Sequence, residues 1–156
     1  MIMVIIMNPT NEKYIATWEY SKWLVASSFF FMIPAGYACM NQLYFYSALL
    51  GFTSVVSANY WRRATYSWRR NLDLVASKVV FVIFVSKGVL YVRTPQYLVT
   101  GYSVLVLLLY YYYLSGKLFA LKNDDWYKYH IAFHFFIMYE QIIVIDSILK
   151  CSHVER

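Results

Sequence analysis

The amino-acid sequence predicts an all-α membrane protein, a bundle of about five transmembrane helices. Three observations lead there. The chain is 61% hydrophobic and only 14% charged, where a soluble domain carries about 25% charged residues. Its apolar residues fall into five runs, each close to the ~20 residues that cross a hydrocarbon layer. Its 17 Tyr, 11 Phe and 5 Trp crowd toward the ends of those runs, where amphipathic rings settle at a bilayer interface.

Taken in order, residues 1–20 read as an N-terminal interfacial segment, 21–150 as a single transmembrane bundle and 151–156 as a short tail. Met1–Met7 is apolar but too short for a signal-peptide core with a cleavage site, and Asn8-Pro9-Thr10 breaks any helix. Glu12–Tyr20 alternates aromatic and polar residues, as a segment lying along the interface does. The first span is expected from Ser21 to Met40, kinked by Pro34 and Gly36. The second follows at once from Gln42 to Trp61, making a tight hairpin with the first. A basic loop, Arg62–Arg70, leads to a third span from Leu72 to Val92. Thr94-Pro95 marks a turn before the fourth span, Gln96–Leu114. After a polar loop, Gly116–Trp126, the fifth span runs from Tyr127 to Leu149.

The cations divide unevenly between the two sides of this threading. Lys13, Lys22, Arg62, Arg63, Arg69, Arg70, Lys117, Lys122 and Lys128 fall on one, and Lys87, Arg93, Lys150 and Arg156 on the other. The positive-inside rule makes the first side cytoplasmic, with the N-terminus there and the C-terminus opposite. The net charge of +6 is thus loop charge, and the composition argues against a nucleic-acid partner. The partner it implies is the lipid bilayer itself. Cys39 and Cys151 are too few and too far apart to imply a disulfide framework or a metal knuckle.

The fifth span carries His130, His134, Glu140 and Asp146. Each ionisable group there costs roughly 2.5–3.5 kcal/mol to insert, so the four ask for partners or a function. His130 and His134 stand one turn apart on one face, a spacing that lets two imidazoles share a ligand. Glu140 follows nearly three turns after His130 on roughly the same face. Ser57 near the end of the second span, Asp73 at the start of the third and the two histidines all lie at similar depth, so a bundle can bring them together. A hydroxyl, a carboxylate and two imidazoles are the residue types of a metal site with a polarised water. The same residues have a plainer use: the histidines as hydrogen-bond links between helices, and Asp73 as a cap beside Arg69 and Arg70. Zinc asks for three protein ligands, and the thirds on offer here are Asp73 and Tyr60.

A serine near the end of one span, an aspartate opening the next and HxxxH on the last resembles the CREST superfamily of membrane hydrolases. That superfamily includes the alkaline ceramidases and the progestin/adiponectin-type receptors. The matching segments are Ser57-Ala-Asn-Tyr-Trp61, Leu72-Asp73 and His130-Ile-Ala-Phe-His134. The resemblance implies lipid-amide hydrolysis by a zinc-bound water, with Ser57 and Asp73 as catalytic residues, His130 and His134 as zinc ligands and a lipid as substrate. The family has a further ligating histidine where this chain has Trp61, and seven spans rather than five, so the resemblance implies a reduced relative. The Trp-Arg-Arg repeats at Trp61 and Trp68 also resemble small membrane proteins of large DNA viruses.

Two lysines fall inside the third span. Lys87 lies deep enough to pair with Glu140 or Asp146, which would lower the insertion cost of both partners. Lys78 lies near the depth of the histidines, where its charge disfavours a cation. Two further functions compete with hydrolysis: a non-enzymatic accessory subunit or scaffold, and a proton or ion path along His134, Glu140, Lys87 and Asp146. The threading itself is directly testable. Cysteine-accessibility mapping should place Arg62–Arg70 and Lys117–Trp126 on one side of the membrane and Thr94 and Cys151 on the other. Arg69 and Cys151 reporting from the same side would overturn it.

Overall fold

The computed structural model describes residues 14–154. Expectations for Met1–Met7 and Asn8–Thr10 lie outside the described residues, as does the side chain of His153. Six α-helices account for almost all of the rest: α1 (Trp18–Ser28), α2 (Met32–Met40), α3 (Tyr44–Arg62), α4 (Trp68–Tyr91), α5 (Pro95–Ala120) and α6 (Trp126–Val154). Among the described residues the only β pairing is an isolated antiparallel bridge between Tyr14 and Thr65.

Four stretches are both long and apolar enough to cross a membrane: Trp18–Met40, Trp68–Tyr91, Pro95–Ala120 and Trp126–Cys151. That marks the chain as an integral membrane protein. The second of the five expected spans is not among them. Its helix, α3, has 19 residues and at ~1.5 Å per residue is about 28 Å long, so it runs beside the others over nearly their full length. It falls short in composition, because Thr53, Ser54 and Ser57 are buried against other helices. Those three hydroxyl side chains face the protein interior.

The first expected span is one continuous path with a defect. Pro34 lacks an N–H, and its ring would collide with the carbonyl four residues back, at Phe30. The backbone answers with a 3-10 turn over Phe29–Phe31 that joins α1 to α2. The distortion therefore sits one turn ahead of the proline and not at Gly36. Ser27 and Ser28 prepare it, each donating its hydroxyl to the carbonyl of Leu24 (3.1 and 2.8 Å), a back-bond that bends helices.

The helix ends follow local rules. After α2 the amide of Leu43 reaches the carbonyl of Ala38 (2.9 Å) and that of Gln42 reaches Cys39 (3.0 Å), with Gln42 at φ 61°. After α5 the amides of Asn123 and Lys122 bond the carbonyls of Leu118 and Phe119 (3.0 and 3.1 Å), with Lys122 at φ 55°. Both are Schellman ends with a non-glycine residue in the left-handed position. Pro95 opens α5 at a position where its missing N–H costs nothing. The basic loop is shorter than expected, since α4 begins at Trp68 and takes Arg69 and Arg70 into its first turn. Their guanidiniums lie over the rings of Trp68 and Tyr66 respectively (5.9 and 5.1 Å). The amide of Ile15 donates to the carbonyl of Ala64 (2.8 Å), tying the entry to α1 against the end of α3.

α6 is the helix that the others share. α1, α2, α4 and α5 all pack on it, α3 fills the space between α1, α2 and α4, and α5 rests chiefly on α6. A core at one end gathers Ala35, Ala38, Leu50, Phe84, Val144 and Ile145. A second core, at the end carrying the basic loop, gathers Leu24, Tyr60, Trp61, Ala64 and Trp126.

The deep charges pair differently from the expectation. Asp146 is held by α2, α5 and its own helix: Tyr37 donates to its Oδ1 (3.0 Å), Tyr97 to its Oδ2, and Lys150 bridges it at 3.0 Å. Lys150 also donates to the Tyr97 hydroxyl (2.6 Å) and lies over that ring. Lys87 takes no part, its ammonium lying 5.3 Å from the centre of the Tyr91 ring. The i, i+4 spacing of Asp146 and Lys150 on α6 satisfies the carboxylate without help from α4. Asp146→Asn and Tyr37→Phe should therefore each cost about 1–2 kcal/mol and couple in a double-mutant cycle. Lys87→Met should be additive with Asp146→Asn in the same denaturation measurement, and coupling there would restore the bridge to α4.

Candidate functional site

Two turns inside α1, the pair Ser27-Ser28 faces inward, both hydroxyls buried. α6 brings His134 to Ser27, with Nδ1 2.9 Å from Oγ. Because the single Ser27 proton is directed at Leu24, Oγ accepts the Nδ1–H of His134. Nε2 of that imidazole is then a lone pair. The hydroxyl oxygens of Ser28 and of Ser57 on α3 lie 3.1 Å apart, and Ser54, one turn earlier on α3, donates to the Ser28 carbonyl (2.9 Å). Ser57 in turn is hydrogen-bonded to the carboxylate of Asp73 on α4. A continuous polar thread thus crosses the bundle from α6 through α1 and α3 to α4.

His130 stands apart from that thread. Its Nδ1 lies 3.2 Å from the hydroxyl of Ser115 on α5, and its ring is 4.8 Å from that of His134, centre to centre. Aromatic rings close around the pair. Trp61 lies 5.1 Å and Phe133 5.4 Å from His130, and Phe31 lies 5.2 Å from His134. Trp61 is itself buried between Tyr60 and Trp126 (4.5 and 6.0 Å). The indole thus takes up the space beside His130 that a third imidazole would need.

The four residues picked from the sequence divide into two sets. Ser57 and Asp73 touch each other, His130 and His134 touch each other, and Ser27-Ser28 is the link between them. Asp73 is no helix cap: Ser67 precedes the first turn of α4, and Asp73 is buried in the second. Among the described residues no three of the His, Cys, Asp and Glu side chains gather closely enough to hold a metal ion. Two buried polar atoms here have no hydrogen-bond partner, Asp73 Oδ1 and Trp61 Nε1. Glu140, expected on the histidine face, projects elsewhere, toward Gly88 of α4.

Sequence reasoning missed Ser27, Ser28, Ser54 and Ser115. The signal was present: serines inside apolar runs, spaced three apart at Ser54 and Ser57 or doubled at Ser27-Ser28, have no aqueous partner and must find one in the chain. No family model, curated protein or solved structure matches this chain.

Removing the Ser27 hydroxyl tests the thread. Ser27→Ala leaves the His134 Nδ1–H unpaired in a dry interior, and should cost about 1–3 kcal/mol in unfolding from detergent or lipid. Ser115→Ala, opposite the partly exposed His130, should cost less. Equal losses at the two positions would mean that burial of the histidines does not matter.

Proposed function

We propose that this chain is a non-enzymatic multi-pass membrane component, an accessory subunit or scaffold whose buried polar groups set how its helices pack. The observation that carries this reading is the division of labour among the site residues. Each imidazole is bound through Nδ1 to a serine of a different helix, and the carboxylate of Asp73 is bound to a serine rather than to an imidazole. Hydrogen bonds of this kind between transmembrane helices contribute about 0.6–2 kcal/mol each and specify which faces meet.

A second reading, the reduced CREST-type hydrolase acting on a lipid amide with Ser57 and Asp73 as catalytic residues, is favoured by one observation. Asp73 Oδ1 and Trp61 Nε1 are buried without partners, and an orphaned polar atom is where a bound polar molecule finds its contact. His134 also leaves its Nε2 free, and a hydrogen bond at the opposite nitrogen is what orients a ligating imidazole.

One substitution separates the two. Wild-type protein purified in detergent should hold less than a tenth of an equivalent of zinc by elemental analysis. Trp61→His places a third imidazole beside His130 and, if the family likeness is structural, should raise occupancy toward one equivalent. His134→Ala in that background should abolish the gain. A folded Trp61→His protein that still binds no zinc would leave the scaffold reading alone.

A further inference from the structure

α4 and α5 are consecutive helices joined by a short connection, yet each packs on α6 rather than on the other. A cleft therefore opens between them, floored by Glu140 and Ile143 of α6 and walled by Gly88 and Val89 of α4 and Gly101 and Leu105 of α5. Both walls belong to spans whose outer faces are apolar and exposed, as lipid-facing helices are. The cleft is thus entered sideways, from the hydrocarbon. Gly88 lies three residues before the end of α4, or about 5 Å at ~1.5 Å per residue, so the cleft sits just beneath one membrane surface.

Its one carboxyl group has no partner among the described residues. Glu140 makes no hydrogen bond or ion pair among the described residues. An Oε1 lies only 3.9 Å from where a β-carbon on Gly88 would be, so the carboxyl occupies the cleft rather than the helix surface. Lys87, the neighbour of Gly88 in sequence, is placed over Tyr91 instead. Elsewhere in this molecule Asp146 is answered by Tyr37, Tyr97 and Lys150, and Asp73 through one of its two oxygens by Ser57. A carboxylate left without a partner inside a span marks a functional site unless something else supplies the counter-charge. The space is about 50 Å³ as the protein stands, against the ~10–15 Å³ a water molecule needs, so a head group of a few heavy atoms fits without moving the helices.

We propose that this cleft binds a lipophilic amine, a single alkyl chain ending in an ammonium group, whose charge pairs with Glu140 while the chain lies between α4 and α5. Charge complementarity decides the head and the apolar walls decide the tail. A fatty acid would set two carboxylates together, and a neutral alcohol would leave the charge unanswered. Gly88 and Gly101 keep the walls low enough for a chain to lie against the backbone. A β-carbon on either meets only ordinary contacts, so a larger residue there fills the cleft without breaking the fold.

The test uses the full chain in phosphatidylcholine nanodiscs, with thermal unfolding as the readout and dodecylamine, dodecanol and dodecanoate as probes. Bound amine should raise the midpoint as its concentration rises, since a ligand of the folded state stabilises it by mass action. Dodecanol and dodecanoate should act at least tenfold more weakly. Glu140→Gln should abolish the preference for the amine, Glu140→Asp should keep it, and Gly101→Leu should block all three probes. Each variant's unfolding curve without probe reports whether it is folded. Equal responses to amine and alcohol in the wild type, or an amine preference that survives Glu140→Gln, would overturn the proposal. So would wild-type dimers that Glu140→Gln converts to monomers with no amine response, since the cleft would then join two copies.

Discussion

A polar side chain in hydrocarbon has no water to turn to, and this fold is arranged around the hydrogen bond that answers that need at the Ser27–His134 contact. One short bond, 2.9 Å long, fastens the central helix α6 to α1 at a fixed height. Ser28, next in sequence, then reaches Ser57 of α3, and Ser57 reaches Asp73 of α4. Four helices are brought into register by hydroxyls whose alternative is an unpaired group at a cost of a few kcal/mol. The hydrophobic effect drives the chain into the membrane but does little to choose among helix pairings once there, because lipid and leucine are equally apolar. The choice falls to these polar groups and to close packing.

The second fastening point works at the opposite end. Asp146 collects Tyr37, Tyr97 and Lys150, so α2, α5 and α6 meet there as α1, α3, α4 and α6 meet at the serine thread. The 3-10 turn at Phe29–Phe31 lies between the two contacts, Ser27 to His134 before it and Tyr37 to Asp146 after it.

The site residues show how a likeness in sequence order and a convergence in space can part company. Ser57 meets Asp73 and His130 meets His134, with Ser27-Ser28 linking the two pairs. Trp61 decides what that convergence amounts to. Its indole packs on His130 and turns the histidine neighbourhood into an aromatic enclosure of Trp61, Phe133 and Phe31. In such an enclosure imidazoles serve as hydrogen-bonding links between helices.

The sequence alone determined the class and most of the element boundaries. Runs near 20 apolar residues admit helices in a bilayer and nothing else, because each backbone group must then be satisfied within its own segment. The turns at Asn41–Leu43, Val92–Thr94 and Leu121–Asp125 follow from local polarity and from Pro95. What the sequence could not determine is which polar group meets which. By depth Lys87 was eligible to pair with Glu140 or Asp146, yet Lys150 is four residues from Asp146 on its own helix and needs no second element to be placed correctly. The expected second span, α3, shows the same limit: only tertiary packing places Thr53, Ser54 and Ser57 inward. Hydropathy is a property of composition, and only the rotation of each helix about its axis decides whether a serine faces lipid or a histidine. The gap between α4 and α5, where Glu140 has no hydrogen-bonding or charged partner among the described residues, is likewise a matter of how both helices pack on α6.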